Sequence, residues 1–220
     1  MVAERNRAVM PTLFGLVVAL ILPSILIYSF PQRRDFFSET IIKECILWTL
    51  AAAVLSIVVY WEKQPLSSIG LIKPTWRSLR LGIVGFISLS IVYGLVALLQ
   101  QILGISGVEP GMTRLLTLPL WLRLLLVFRA AIVEEILYRG YPIERIAWLS
   151  GSRLLGAIIT LIIFSLMHLP FWGAGHLLVV AGGGAVLTAL FVWKRDLNVN
   201  FLAHFLADLV GIIIVPLVHH

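Results

Sequence analysis

Seven long apolar runs dominate the sequence and leave few folds open to it. They cover about residues 11–30, 46–61, 81–103, 118–149, 153–170, 176–193 and 199–218. A helix needs roughly 20 mostly apolar residues to cross a bilayer, and inside lipid it must satisfy its own backbone hydrogen bonds. With 60% hydrophobic and only 13% charged residues, the chain lies outside the range of soluble domains. We therefore expect an all-α, polytopic transmembrane helical bundle of about seven spans, forming a single membrane domain over residues 1–220.

The basic residues are spread over the predicted loops and form no patch for a nucleic acid, although the net charge is +6. Lysine and arginine accumulate in the cytoplasmic loops of membrane proteins. On alternate loops the larger set comprises Arg5, Arg7, Lys63, Lys73, Arg77, Arg80, Arg145, Arg153, Lys194 and Arg195, and the smaller set Arg33, Arg34, Lys43, Arg114 and Arg123. We expect a multi-pass protein of a prokaryotic plasma membrane with a cytoplasmic amino terminus. Residues 31–44 are expected to form a loop, and residues 62–80 to lie on the membrane surface.

Two adjacent glutamates interrupt the fourth run. An ionisable group at membrane depth costs about 2.5–3.5 kcal/mol on insertion scales, so it needs a partner and a function. Glu135 precedes Arg139 by four residues, the favourable order for a helical ion pair. Glu134 points about 100° away around the helix and has no predicted charged partner. A desolvated, unpaired carboxylate of this kind suits a general base.

Two further helices carry a histidine with a neighbour four residues away on the same face. These pairs are Phe164 with His168 and His204 with Asp208. One carboxylate and one imidazole can activate water, while a second imidazole with Asp208 can stabilise an oxyanion. The residues therefore predict hydrolysis of an amide without a covalent intermediate. The single cysteine, Cys45, is neither a plausible nucleophile nor part of a disulfide.

The depths of these residues agree only in part. Glu134 lies 17 residues before Gly151 and His168 lies 17 residues after it, so both are roughly 25 Å from the turn of a helical hairpin. His204 is only a few residues from the 194–196 loop. Either the hairpin projects beyond that loop or the sixth helix bends at Gly182-Gly183-Gly184, and the sequence leaves both open.

The three motifs, Glu134-Glu135-x-x-x-Arg139, Phe164-x-x-x-His168 and His204-x-x-x-Asp208, together resemble those of the CPBP family of intramembrane proteins, also called the Abi family. That family includes type II CAAX prenyl endopeptidases and bacteriocin-processing or self-immunity proteins. The resemblance covers roughly residues 118–218, the expected catalytic core, with residues 1–117 as supporting spans.

The resemblance assigns roles to individual residues. It implies that Glu134 and His168 activate water, that His204 and Asp208 form the oxyanion hole, and that Glu135 and Arg139 support them. It implies no metal and no cofactor, and a membrane-associated peptide or protein as substrate. The family often has asparagine where this chain has Asp208, so Asp208 must either be protonated or orient His204.

Three other interpretations stay open. The carboxylates could belong to a structural ion network with Arg139 and Arg129. Two histidines with carboxylates could bind zinc, as in a metalloprotease, although no His-Glu-x-x-His helix is present. The chain could also be a non-catalytic membrane regulator or a bacteriocin self-immunity protein. Phe164 serves packing in each case.

Overall fold

The computed structural model describes residues 2–28, 35–105 and 110–218, which form helices and connecting turns without a strand. The α-helices are α1 Val2–Leu20, α2 Leu22–Tyr28, α3 Phe36–Ser56, α4 Trp76–Ile102, α5 Pro110–Leu116, α6 Leu120–Arg129, α7 Tyr141–Ser150, α8 Arg153–Trp172, α9 Leu177–Lys194, α10 Leu197–Asp208 and α11 Val215–Val218. Short π-helical turns at Ile57–Trp61, Ala130–Glu134, Ile136–Gly140 and Leu209–Ile214 connect or extend them, and a 3-10 turn covers Leu66–Ile69. The chain is thus an all-α bundle, as predicted.

Six helices in the described part of the chain are long and apolar enough to cross a membrane. They are Val9–Tyr28, Phe36–Trp61, Trp76–Ile102, Arg153–Trp172, Leu177–Lys194 and Leu197–Val218. The remaining predicted run is helical from α6 through two π turns to α7, and we call it the motif helix. Its charged side chains set it apart from the six, and the core of the bundle is built around it.

Two predicted boundaries are wrong. The loop expected at residues 31–44 is helical from Phe36, because the Asp35 carboxylate accepts from the Ser38 backbone N–H at 3.2 Å and caps α3. This places Glu44 inside a spanning helix. The segment expected at residues 62–80 ends earlier, because α4 begins at Trp76, where the Thr75 hydroxyl oxygen accepts from the Ser78 backbone N–H at 3.1 Å. Within this segment Ile69 is buried against the bundle, and the Gly70 carbonyl accepts from Leu197 N at 2.9 Å. Residues 29–34 and 106–109 lie outside the described residues, and so do the predicted loop positions Arg33 and Arg34.

The α7–α8 hairpin projects beyond the α9–α10 loop. Arg195 in that loop donates from Nε to Glu144 Oε1 at 2.9 Å. Glu144 lies seven residues before the turn at Gly151, so the hairpin extends about 10 Å past the loop. This offset, rather than a bend, raises His204 to the depth of the motif glutamates.

The three glycines of α9 serve close packing, because α9 is one continuous helix. A Cβ added at Gly183 would fall 2.4 Å from the Tyr93 hydroxyl oxygen of α4. One added at Gly184 would fall 3.1 Å from the Phe164 ring of α8. Both neighbouring helices therefore approach α9 more closely than a larger residue would permit.

Candidate active site

Glu135 is the most buried carboxylate of the bundle's described part, with 0% of its surface exposed. Arg139 Nη1 donates to its Oε1 at 2.9 Å, which confirms the predicted ion pair. His204 Nδ1 lies 2.9 Å from the same oxygen, and Asn200 Nδ2 donates to Oε2 at 2.9 Å. Glu135 thus joins the motif helix to α10 through two contacts, one with His204 and one with Asn200.

Glu134 has a charged partner, so the expectation that it is unpaired is wrong. Arg129 Nη1 donates to Glu134 Oε1 at 2.5 Å, and Arg129 Nε donates to Glu44 Oε1 of α3 at 2.9 Å. Five residues separate Arg129 from Glu134, which an α-helix would place about 140° apart around its axis. The π turn at Ala130–Glu134, with its i→i+5 hydrogen bonds, brings both onto one face.

His168 of α8 faces the second oxygen of Glu134. Its Nε2 lies 3.8 Å from Glu134 Oε2. The two residues therefore share one depth, as their equal distances from the turn at Gly151 predict. The Nδ1 of His168 lies 2.7 Å from the Phe164 carbonyl oxygen. Because a carbonyl only accepts, Nδ1 carries the proton in this contact, and the lone pair of a neutral ring is on Nε2.

His204 is held between two carboxylates. Its Nδ1 contacts Glu135 at 2.9 Å, and its Nε2 lies 3.4 Å from Asp208 Oδ2. The second distance exceeds that of a good hydrogen bond, so Nε2 is less tightly committed than Nδ1. Glu135 is therefore the residue that orients His204, and Asp208 lies beside its Nε2.

The Phe164 ring packs against three side chains of the cluster. The Arg139 guanidinium carbon lies 3.9 Å from the centre of this ring, a cation–π distance. The His168 ring centre is 4.5 Å away, and the Tyr138 ring meets it edge-on at 5.3 Å. The predicted packing role of Phe164 is therefore observed, and it connects the motif helix to α8.

All seven residues singled out from the sequence lie in this one cluster: Glu134, Glu135, Arg139, Phe164, His168, His204 and Asp208. Asn200 and Glu44 also belong to the cluster and were not predicted from the sequence. Asn200 precedes His204 by one helical turn, and its polar side chain in an apolar run was the available signal. Glu44 was assigned to a loop, so its burial was not foreseen.

In the described part of the chain, no three histidine, cysteine or carboxylate side chains converge as a metal site would require. His168 and His204 face different glutamates, and Arg129 and Arg139 place a cation beside each glutamate. The zinc interpretation therefore has no ligand cluster among these residues.

Comparison with known proteins identifies the part of the chain that carries the cluster. Residues 116–210 match the family model described as type II CAAX prenyl endopeptidase Rce1-like. This match agrees with the family that the three motifs indicate. No curated protein and no solved structure matches the chain significantly.

Proposed function

We propose that this chain, whose residues 116–210 match the Rce1-like family of CAAX prenyl endopeptidases, hydrolyses a peptide bond within the membrane. The observation that carries the proposal is the pair of facing atoms Glu134 Oε2 and His168 Nε2, 3.8 Å apart. Both are hydrogen-bond acceptors when the imidazole is neutral. A water molecule about 2.8 Å from each of the two atoms would donate one O–H to Glu134 and the other to His168.

In the proposed reaction the water oxygen attacks the carbonyl carbon of the substrate. Glu134 takes one water proton as general base, with His168 orienting the molecule. The C–N bond then breaks, and Glu134 returns the proton to the leaving amine. His204 donates from Nε2 to the developing oxyanion, because its Nδ1 is fixed by Glu135 and its contact with Asp208 is long at 3.4 Å.

The substrate we propose is a membrane-associated peptide or protein, with prenylated CAAX proteins and bacteriocin or pheromone precursors as candidates. We also propose that the amino terminus is cytoplasmic, in a prokaryotic plasma membrane. The segments richest in basic residues contact one another at one end of the bundle, where Arg145 binds Glu62 and Arg195 binds Glu144. A shared basic end supports a cytoplasmic position for it.

The test is cleavage of a peptide panel by the purified protein in detergent, with prenylated and unprenylated CAAX peptides among its members. Glu134→Gln keeps the size of the side chain and removes the base, so we expect kcat/KM to fall by roughly 10²–10⁴-fold. His168→Ala should also lose activity. Glu39→Gln on α3 is the control, because Glu39 pairs only with Lys43 on the same helix in the described structure.

One observation favours the non-catalytic alternative, a membrane regulator or self-immunity protein. The 2.5 Å contact with Arg129 neutralises Glu134, which weakens it as a base. Cleavage that persists unchanged in Glu134→Gln and His168→Ala would contradict the proposed chemistry and favour this role. Cleavage that both variants lose while they stay folded would contradict the alternative.

A further inference from the structure

Glu44 lies outside the three motifs and outside the matched segment, yet it reaches the motif helix. Arg129 donates to Glu44 Oε1 at 2.9 Å and to Glu134 Oε1 at 2.5 Å. Glu44 is 4% exposed, and its second oxygen, Oε2, has no hydrogen-bond partner among the described residues. We call Glu44, Arg129 and Glu134 the acidic triad.

We propose that Glu44 is a positioning residue. Its carboxylate remains paired with the Arg129 guanidinium while Glu134 accepts the proton of the attacking water. This inference rests on the proposed function. It assigns a role in the reaction to a residue of the amino-terminal half.

The charges of the triad support this role. Two carboxylates and one guanidinium carry a net charge of −1 when all are ionised. Once Glu134 binds a proton, Arg129 and Glu44 remain as a neutral pair. Without the charge of Glu44, protonation of Glu134 would leave Arg129 as a buried cation without a counter-ion, which is strongly unfavourable. Glu44 therefore offsets the penalty that Arg129 imposes on a general base.

The other charged groups around Glu134 make this compensation more important. His168 faces it from α8 at 3.8 Å, and His204 of α10 and Arg139 of the motif helix also act on it electrostatically. Positive charge on any of them opposes protonation of Glu134. Tyr93 of α4 and Tyr138 of the motif helix also interact with Glu134, and neither side chain can carry a positive charge. Glu44 of α3 supplies negative charge.

The experiment compares Glu44→Gln with the matched control Glu39→Gln, five residues earlier on the same helix. For Glu44→Gln we expect kcat/KM near neutral pH to fall roughly 10- to 100-fold, part of what a general base contributes. We also expect the acidic limb of its pH profile to move to lower pH. Without the charge of Glu44, Arg129 pairs with Glu134 alone and stabilises the ionised form of Glu134 more strongly. Glu39→Gln should change neither. Glu44→Asp retains the charge and should recover most of the rate.

A second measurement does not depend on cleavage. Infrared difference spectra of the purified protein on acidification report the C=O stretch of a protonated carboxyl group. The band that disappears in Glu134→Gln should appear at lower pH in Glu44→Gln than in wild type, and at the wild-type pH in Glu39→Gln. If Glu44→Gln fails to fold, Glu44→Asp takes its place in both assays. Wild-type behaviour of Glu44→Asp then supports the inference. A lower kcat/KM at every pH, with an unmoved pH profile, overturns it.

The outcomes separate this inference from the proposed function. Full activity of Glu134→Gln would overturn the proposed function and the inference with it. If Glu134 is essential but Glu44→Gln behaves like Glu39→Gln in rate and pH profile, only the inference fails. A lower rate with an unmoved profile and an unmoved carboxyl band would make Glu44 merely structural, and it too would overturn the inference.

Discussion

Replacement of Glu135 by alanine should destabilise the protein more than any other single carboxylate truncation in the motif helix. Its two oxygens accept from Arg139 and Asn200 and contact His204, and none of its surface is exposed. Removing one partner of a buried ion pair costs about 3–5 kcal/mol. Each further hydrogen bond to a charged group adds about 1.5–3 kcal/mol, and since such losses are not additive we expect about 4–6 kcal/mol in total.

The assay is thermal unfolding in detergent, followed by the loss of the monodisperse peak in size-exclusion chromatography. At roughly 2–4 °C per kcal/mol for a chain of this size, Tm should fall by about 10–20 °C. Glu39→Ala is the matched control, because it breaks a helical ion pair whose two side chains are partly exposed. That change should cost only about 0.3–0.5 kcal/mol.

A double-mutant cycle tests whether the ion pair is the cause. Adding Arg139→Met to Glu135→Gln removes the buried cation that the single variant leaves behind, so the double variant should be more stable than the sum of the two losses predicts. A Glu135→Ala protein with the Tm of the Glu39→Ala control would refute the reasoning. Strictly additive losses in the cycle would refute the role of the pair.

Two further predictions concern packing and metal independence. Gly140→Ala should cost about 1–3 kcal/mol, measured as a fall in Tm, because its Cβ would lie 2.7 Å from the Ile69 carbonyl oxygen. Gly94→Ala, with no atom within 4 Å of its Cβ, should instead be neutral or stabilising by up to about 1 kcal/mol, and equal effects would contradict the packing argument. Treatment with a zinc chelator should leave peptide cleavage intact, and a loss that added zinc restores would favour the metalloprotease alternative.

Contacts within one helix were predictable, because helical periodicity fixes which side chains share a face. The pairs Glu135 with Arg139 and His204 with Asp208 follow from a spacing of four residues. The shared depth of Glu134 and His168 follows from equal distances to the turn at Gly151. Length and apolar composition likewise predict six of the seven helices as spans.

Contacts between helices, and the contact across a π turn of the motif helix, depended on helix offsets and local winding that a short stretch of sequence does not encode. The π turn at Ala130–Glu134 aligned Arg129 with Glu134, where a regular helix would have kept them apart. The docking of Arg195 on Glu144 set the level of His204. The cap at Asp35 starts α3 at Phe36, so Glu44 lies within this long apolar helix.

The sequence by itself therefore determined an all-helical membrane bundle and the seven residues of its polar cluster, since hydrophobic run length and helical spacing are local properties. Tertiary structure alone decided that Glu134 has a cationic partner and that Glu44 and Asn200 join the cluster. The physical reason is that the partner of a buried charge is set by the helix that packs against it and by the local winding of its own helix. That choice depends on how helices are offset and rotated against one another over the whole bundle.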